Sequence, residues 1–181
     1  MKLFRNPSAV ILPGLLVAVF LAGGAGSSYA GTLQSMYDAA GPGDGYDKLV
    51  ILERGEVYTG PLTISGRVRC CIRGNDAICA LSDAEIQIKD GSILDIFDTI
   101  LYGGNYALHY LENCSGLISG NTIYGGVTGI RANFARVTIE NNIIAFNSGM
   151  GIAADEFVLP VMQYNDVYMN EGGNYMVYCE T

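Results

Sequence analysis

The chain has 181 residues, with 18 acidic against 10 basic side chains, a net charge of −8 and 24 glycines. Such an acidic surface repels phosphate backbones and anionic lipid, which excludes nucleic acid as a direct partner. It repels polyuronic acids as well, unless a divalent cation bridges the two.

Residues 1–30 read as an export signal. Lys2 and Arg5 give a positive start, Ala9 to Ala22 is an apolar run, and Ser28-Tyr29-Ala30 supplies the small residues of a cleavage site. The run covers 14 residues, short of the about 20 that a membrane helix needs. An uncleaved anchor is the alternative. Cleavage would leave 151 residues, the size of one domain, and a net charge of −10 because both lost charges are basic. The expected location is secreted, periplasmic or cell-surface, with no membrane insertion after cleavage.

Residues 31–46 are expected to form an N-terminal cap. Thr32 can N-cap a helix from Leu33 to Ala40, which Gly41-Pro42-Gly43 stops. From 47 to 181 the chain breaks into short β runs separated by Gly, Asn and Asp. Lys48 to Glu53, Val68 to Ile72, Glu85 to Ile88, Ile93 to Ile96, Ala135 to Ile139 and Phe157 to Val161 are the predicted strands.

These runs repeat. Ile86, Leu108, Ile130, Ile152 and Tyr175 recur at 22 or 23 residues, as do Ile78, Ile100, Ile123, Ile144 and Val167 at 21 to 23. Asp76, Asp98, Asn121, Asn142 and Asn165 run beside them, and Tyr102, Tyr124, Phe146 and Tyr168 are 22 apart. A fixed period in this range marks a stacked repeat. The spacing predicts an all-β fold: a parallel solenoid of about five coils in which each strand pairs with its counterpart one repeat later, behind a short capping helix. Ile then stacks on Ile inside, and the Asn side chains form a hydrogen-bonded ladder.

The five cysteines are Cys70, Cys71, Cys79, Cys114 and Cys179. Their spacing selects no disulfide pattern, and Cys70 and Cys71 should face opposite sides of a strand. With His109 as the sole histidine and no CxxC spacing, a zinc site is not expected.

Thr32 to Ala40, then Gly43-Asp44, then Gly55-Glu56-Val57-Tyr58-Thr59-Gly60-Pro61-Leu62-Thr63-Ile64 resemble the opening of right-handed parallel β-helix proteins of the pectin-lyase-like superfamily. Gly120-Asn121-Thr122-Ile123, Asn141-Asn142-Ile143-Ile144 with Asn147, Gly151 and Ile152, and Tyr164-Asn165-Asp166-Val167-Tyr168 with Asn170 are similar to its repeat units. The resemblance implies a right-handed, single-stranded β-helix behind a capping helix. It does not fix an activity, because the superfamily includes lyases, hydrolases, epimerases, adhesins and proteins without known chemistry.

The residues of those enzymes are mostly absent. There is no Asp-Asp pair, no Gly-His-Gly, no Arg-x-Lys, no Asp-Pro-His and no Trp. The remaining catalytic candidates are Asp95, Asp98 and Arg131, in a lyase or glycoside hydrolase that would need its acids at a fixed separation. Asp76 and Asp98, stacked one coil apart, could hold calcium or could simply be turn residues. No other cofactor is expected. Tyr102, Tyr124, Phe146 and Tyr168 would line one edge, either as packing or as a sugar-binding shelf. The expected function is therefore binding or structural, with polysaccharide the expected partner. The alternatives are a small polysaccharide enzyme, or a fragment of a larger secreted β-helix protein. A further expectation is self-association through an uncapped C-terminal edge.

Overall fold

A computed structural model describes residues 29–82 and 84–178; most of the export signal and Cys179 lie outside them. Strand β1 (Tyr29–Thr32) leads into helix α1 (Leu33–Ala39), whose first turn is closed by the Thr32 hydroxyl accepting from Ser35 N–H at 3.0 Å. The first full coil holds β2 (Lys48–Ile51), β3 (Val57–Thr59) and β4 (Leu62–Ile64). The second holds β5 (Arg69–Ser82) and β6 (Ile86–Ile88), and the third β7 (Ile93–Gly103) and β8 (Tyr106–Tyr110). Then come β9 (Ser115–Ser119), β10 (Thr122–Tyr124) and β11 (Thr128–Ala132). The fifth comparable coil is β12 (Arg136–Glu140), β13 (Ile143–Ala145) and β14 (Met150–Asp155), and the sixth β15 (Val161–Gln163), β16 (Asp166–Tyr168) and β17 (Gly173–Tyr178). Six strands line one face where about five coils were expected.

Every pairing between named strands is parallel and joins one coil to the next. The result is a three-faced right-handed prism. The first face runs from β2 to β15, the second from β1 to β16, and the third from β4 to β17; β5 and β7 bend through a corner and serve the first two. Leu62, Ile86, Leu108, Ile130, Ile152 and Tyr175 pair in register on the third face, and the first five are buried, so this predicted column holds throughout.

The second isoleucine column does not hold. Ile78 pairs with Ile100, but Ile100 pairs with Thr122, and Ile123 sits over Leu101. The inward column is Tyr58, Cys79, Leu101, Ile123, Ile144 and Val167. A 23-residue step shifts parity by one, and in a strand that moves a side chain to the other face. Phe157 to Val161 is also not a strand. Pro160 falls opposite Val137, given that Val161 pairs with Thr138; it has no N–H for the ladder, so pairing resumes only at Val161.

Candidate functional site

The asparagine ladder lies at the corner between the first and second faces. Asn121 donates to Asn142 Oδ1 at 3.1 Å and Asn142 to Asn165 Oδ1 at 2.9 Å, while Asn142 Nδ2 also reaches the Ile118 and Glu140 carbonyls at 2.8 Å. Asp98 and Asp76 are not its lower rungs. The rung beneath Asn121 is Thr99, whose N–H donates to Asn121 Oδ1 at 3.0 Å, and beneath that is Ala77. Asp76 and Asp98 sit one residue earlier, at φ 62 and 50, in a column of left-handed corners continued by Gly120, Asn141 and Tyr164. Asp, Asn and Gly suit that backbone. Asp76 also pairs with Arg54 at 3.2 Å, and among the described residues no group of three metal-ligating side chains is found.

A second ladder joins the second face to the third. Asn147 accepts from Gly126 N–H at 3.1 Å and donates to Asn170 Oδ1 at 2.8 Å. Asn147 and Asn170 belong to the repeat units named above, but their 23-residue spacing gave no sign of a hydrogen-bonded role.

The aromatic row faces outward, half-buried, at the end of the second face. Tyr102 and Tyr124 pair in register with ring centroids 5.1 Å apart. The next place in the column belongs to Ala145 rather than Phe146, then to Tyr168. Phe146 occupies the left-handed corner beside it at φ 57, with its ring edge-on to Tyr168 at 5.5 Å. The 21-residue step between these coils moved it by one place. Burial, and secondarily the neighbouring Tyr102, push the Tyr124 phenol up.

The three catalytic candidates are not brought together. Asp95 lies on the first face, Asp98 at the adjoining corner, and Arg131 on the third face. Asp95 is structural: its two oxygens accept from Tyr46 hydroxyl at 2.6 Å and Leu117 N–H at 2.7 Å. That second bond fills a gap in the ladder where Gly116 presses on the Leu94 carbonyl and leaves no room for a side chain. The hydrogen bond to Asp95 is the main cause pushing the Tyr46 phenol up to about 12.

Arg131 belongs to a cluster that sequence reading missed. Gln87, His109 and Arg131 form an outward column on the third face. Glu85 Oε2 lies 3.2 Å from His109 Nδ1, Gln87 donates to Glu85 Oε1 at 2.8 Å, and the Tyr106 ring centroid is 4.6 Å from that of His109. On the next coil Arg131 pairs with Asp155 at 3.1 Å, with side-chain exposures of 14% and 10%. Stacking supplies what the linear sequence hid, because these groups are 22 to 24 residues apart.

Cys70 joins the core, while Cys71 pairs in register with Asp95 on the other side of the strand. Both are buried, as are Cys79 and Cys114, and these four are free thiols.

Parallel coils, inward aliphatic columns and two amide ladders define a solenoid with flat outer faces. A family model described as right handed beta helix region matches residues 68–181, and the chain belongs to that family. The family supports a carbohydrate-related module in general terms. No curated protein and no solved structure matches the chain.

Proposed function

We propose that this is an exported β-helix module that binds polysaccharide along its aromatic row. The carrying observation is the outward Tyr102–Tyr124 pair, two half-exposed rings set 5.1 Å apart along the stack, with Tyr168 two coils further along the column and Phe146 at the corner beside it. Such rings offer apolar faces with hydroxyl handles, which suits sugar rings. The acidic surface favours a neutral glycan over a polyuronate. A glycan-array screen of the purified mature protein, repeated with Tyr102→Ala and Tyr168→Ala, tests this. Binding that both variants retain unchanged would remove the row from the account.

A small polysaccharide lyase or hydrolase is the second reading. The observation favouring it is the half-buried cluster of Glu85, His109, Arg131 and Asp155 rather than the separated Asp95 and Asp98. Incubation with a panel of glycans would detect unsaturated products or new reducing ends. Turnover lost in His109→Ala, with folding intact, would establish the enzyme and displace the binding module.

A further inference from the structure

The turn from the third face back to the first is short in the fourth-to-fifth coil passage, where Asn133 to Ala135 separate β11 from β12. One coil later it takes five residues, Glu156 to Pro160, before β15 begins. Because Pro160 cannot donate to the ladder, this segment lifts away from the edge of β12 instead of pairing with it. The result is an open hollow of about 410 Å³, lined by Arg136, Val137, Thr138, Phe157, Val158, Leu159 and Val161. Its volume falls within the range of small-molecule sites, about 300–1,000 Å³.

Two features of the lining bear on what it can hold. Phe157, Leu159 and Val161 are 66%, 58% and 59% exposed, and Phe134 stacks on Phe157 at 6.2 Å, so the wall is apolar and braced from behind. The floor carries a cation. Arg54, Arg73 and Arg131 are paired with carboxylates, and Lys48 and Arg69 lie over tyrosine rings. The Arg136 side chain has no such partner among the described residues; Arg67 and Lys89 share this, but they line a different hollow together with Asp90 and Glu112. Of the acids near it in sequence, Asp155 is held by Arg131 and Glu140 by Gln163 at 2.6 Å, and Glu156 does not line the hollow.

We infer that this hollow binds a small amphiphilic anion, with a carboxylate or sulfonate on Arg136 and an alkyl or aryl body against Phe157 and Leu159. An arginine fork pairs with such an oxyanion in two parallel bonds. The proposal does not depend on glycan binding elsewhere.

Anilinonaphthalene sulfonate is the probe, titrated into the folded mature protein and followed by its fluorescence. Saturable, blue-shifted emission at one site per chain is expected, displaced by dodecanoate more readily than by uncharged octyl glucoside. Arg136→Gln should weaken the probe about tenfold, Leu159→Ser should abolish binding, and Tyr164→Ser, outside the hollow, should leave it unchanged. Circular dichroism confirms that each variant is folded. Absence of saturable emission, or emission that Arg136→Gln and Leu159→Ser leave intact, overturns the proposal. So does a concentration-dependent dimer in light scattering that excludes the probe, since the hollow would then be covered by a second copy.

Discussion

Asn142 Nδ2 lies 2.9 Å from Asn165 Oδ1, while the same amide group's oxygen accepts from both Asn121 N–H and Asn121 Nδ2. One side chain therefore satisfies polar groups of three coils at a buried corner. Replacing it with alanine leaves Asn121 N–H without its partner and takes a donor from the Ile118 and Glu140 carbonyls, while Asn121 Nδ2 keeps the Ile96 and Ser119 carbonyls and Glu140 keeps Gly120 N–H. An orphaned buried group costs about 1–3 kcal/mol, so Asn142→Ala should lose about 2 kcal/mol or more. Asn142→Asp should be nearly as damaging, since a carboxylate cannot donate to those carbonyls. Urea denaturation of the three proteins gives the measure; a midpoint unchanged in Asn142→Ala would mean that the ladder does not hold the corner.

Much of this was legible in the sequence. Ile86, Leu108, Ile130 and Ile152 repeat because stacked coils bury like on like, and Asn121, Asn142 and Asn165 repeat because a carboxamide donates from its nitrogen to the coil on one side and accepts at its oxygen from the other. Parity was not legible. Coils of 21, 22 and 23 residues look alike in a list, yet one residue exchanges the inner and outer faces. That is why spacing alone sets Ile100, Asp98 and Phe146 each one column away from its true place. The Glu85–His109 and Arg131–Asp155 contacts were hidden for a different reason: they span coils whose register had to be known first.

The corner position of Asp98 gives a direct contrast between chemistry and conformation. At φ 50 the residue is in the left-handed region, and Gly120 holds the same place one coil on. Asp98→Ala should destabilise by about 1 kcal/mol, because a plain Cβ is disfavoured there. Asp98→Gly should be close to neutral. If instead both substitutions abolished a polysaccharide-cleaving activity, the carboxylate itself would be the functional group. Urea midpoints and product assays on the same samples separate the outcomes.

Asp95 predicts the opposite pattern. Its carboxylate serves Tyr46 and Leu117, so Asp95→Ala should cost about 2–3 kcal/mol through the unpaired Leu117 N–H and the lost phenol contact. Tyr46→Phe, which removes only the exposed-side bond, should cost less. Thermal unfolding would show the order, and a neutral Asp95→Ala would return that carboxylate to the pool of candidate functional groups.

Within the aromatic row, register sets the expected ranking. Tyr102 and Tyr124 are direct neighbours in one column, whereas Phe146 stands beside the column at a corner. Tyr102→Ala and Tyr124→Ala should each weaken glycan affinity about tenfold, the scale of one lost aromatic contact. Phe146→Ala should have a smaller effect. Calorimetric titration with whichever glycan the array selects would read the ranking, and equal losses for all three would argue that the ligand tracks the corner instead of the strand.

The buried thiols make the fold sensitive to alkali. Burial is the main cause pushing Cys70 and Cys79 from 9.0 up to about 12. The folded state thus keeps them protonated under conditions where the unfolded chain ionises. The stability this contributes is complete below about pH 9 and is lost as pH rises toward 12, since the unfolded state releases the protons first. Two measurements follow. Urea midpoints should fall across that interval, and Cys79→Ala should flatten the fall although it lowers stability at neutral pH by opening a cavity. In a Cys179→Ser background, a disulfide reagent at about pH 8 should find the four buried thiols unreactive until guanidinium unfolds the chain, because reaction requires an accessible thiolate. Rapid labelling of the native protein would show that the coils around Cys70 and Cys79 open readily, and would contradict the continuous core drawn from the stacked columns.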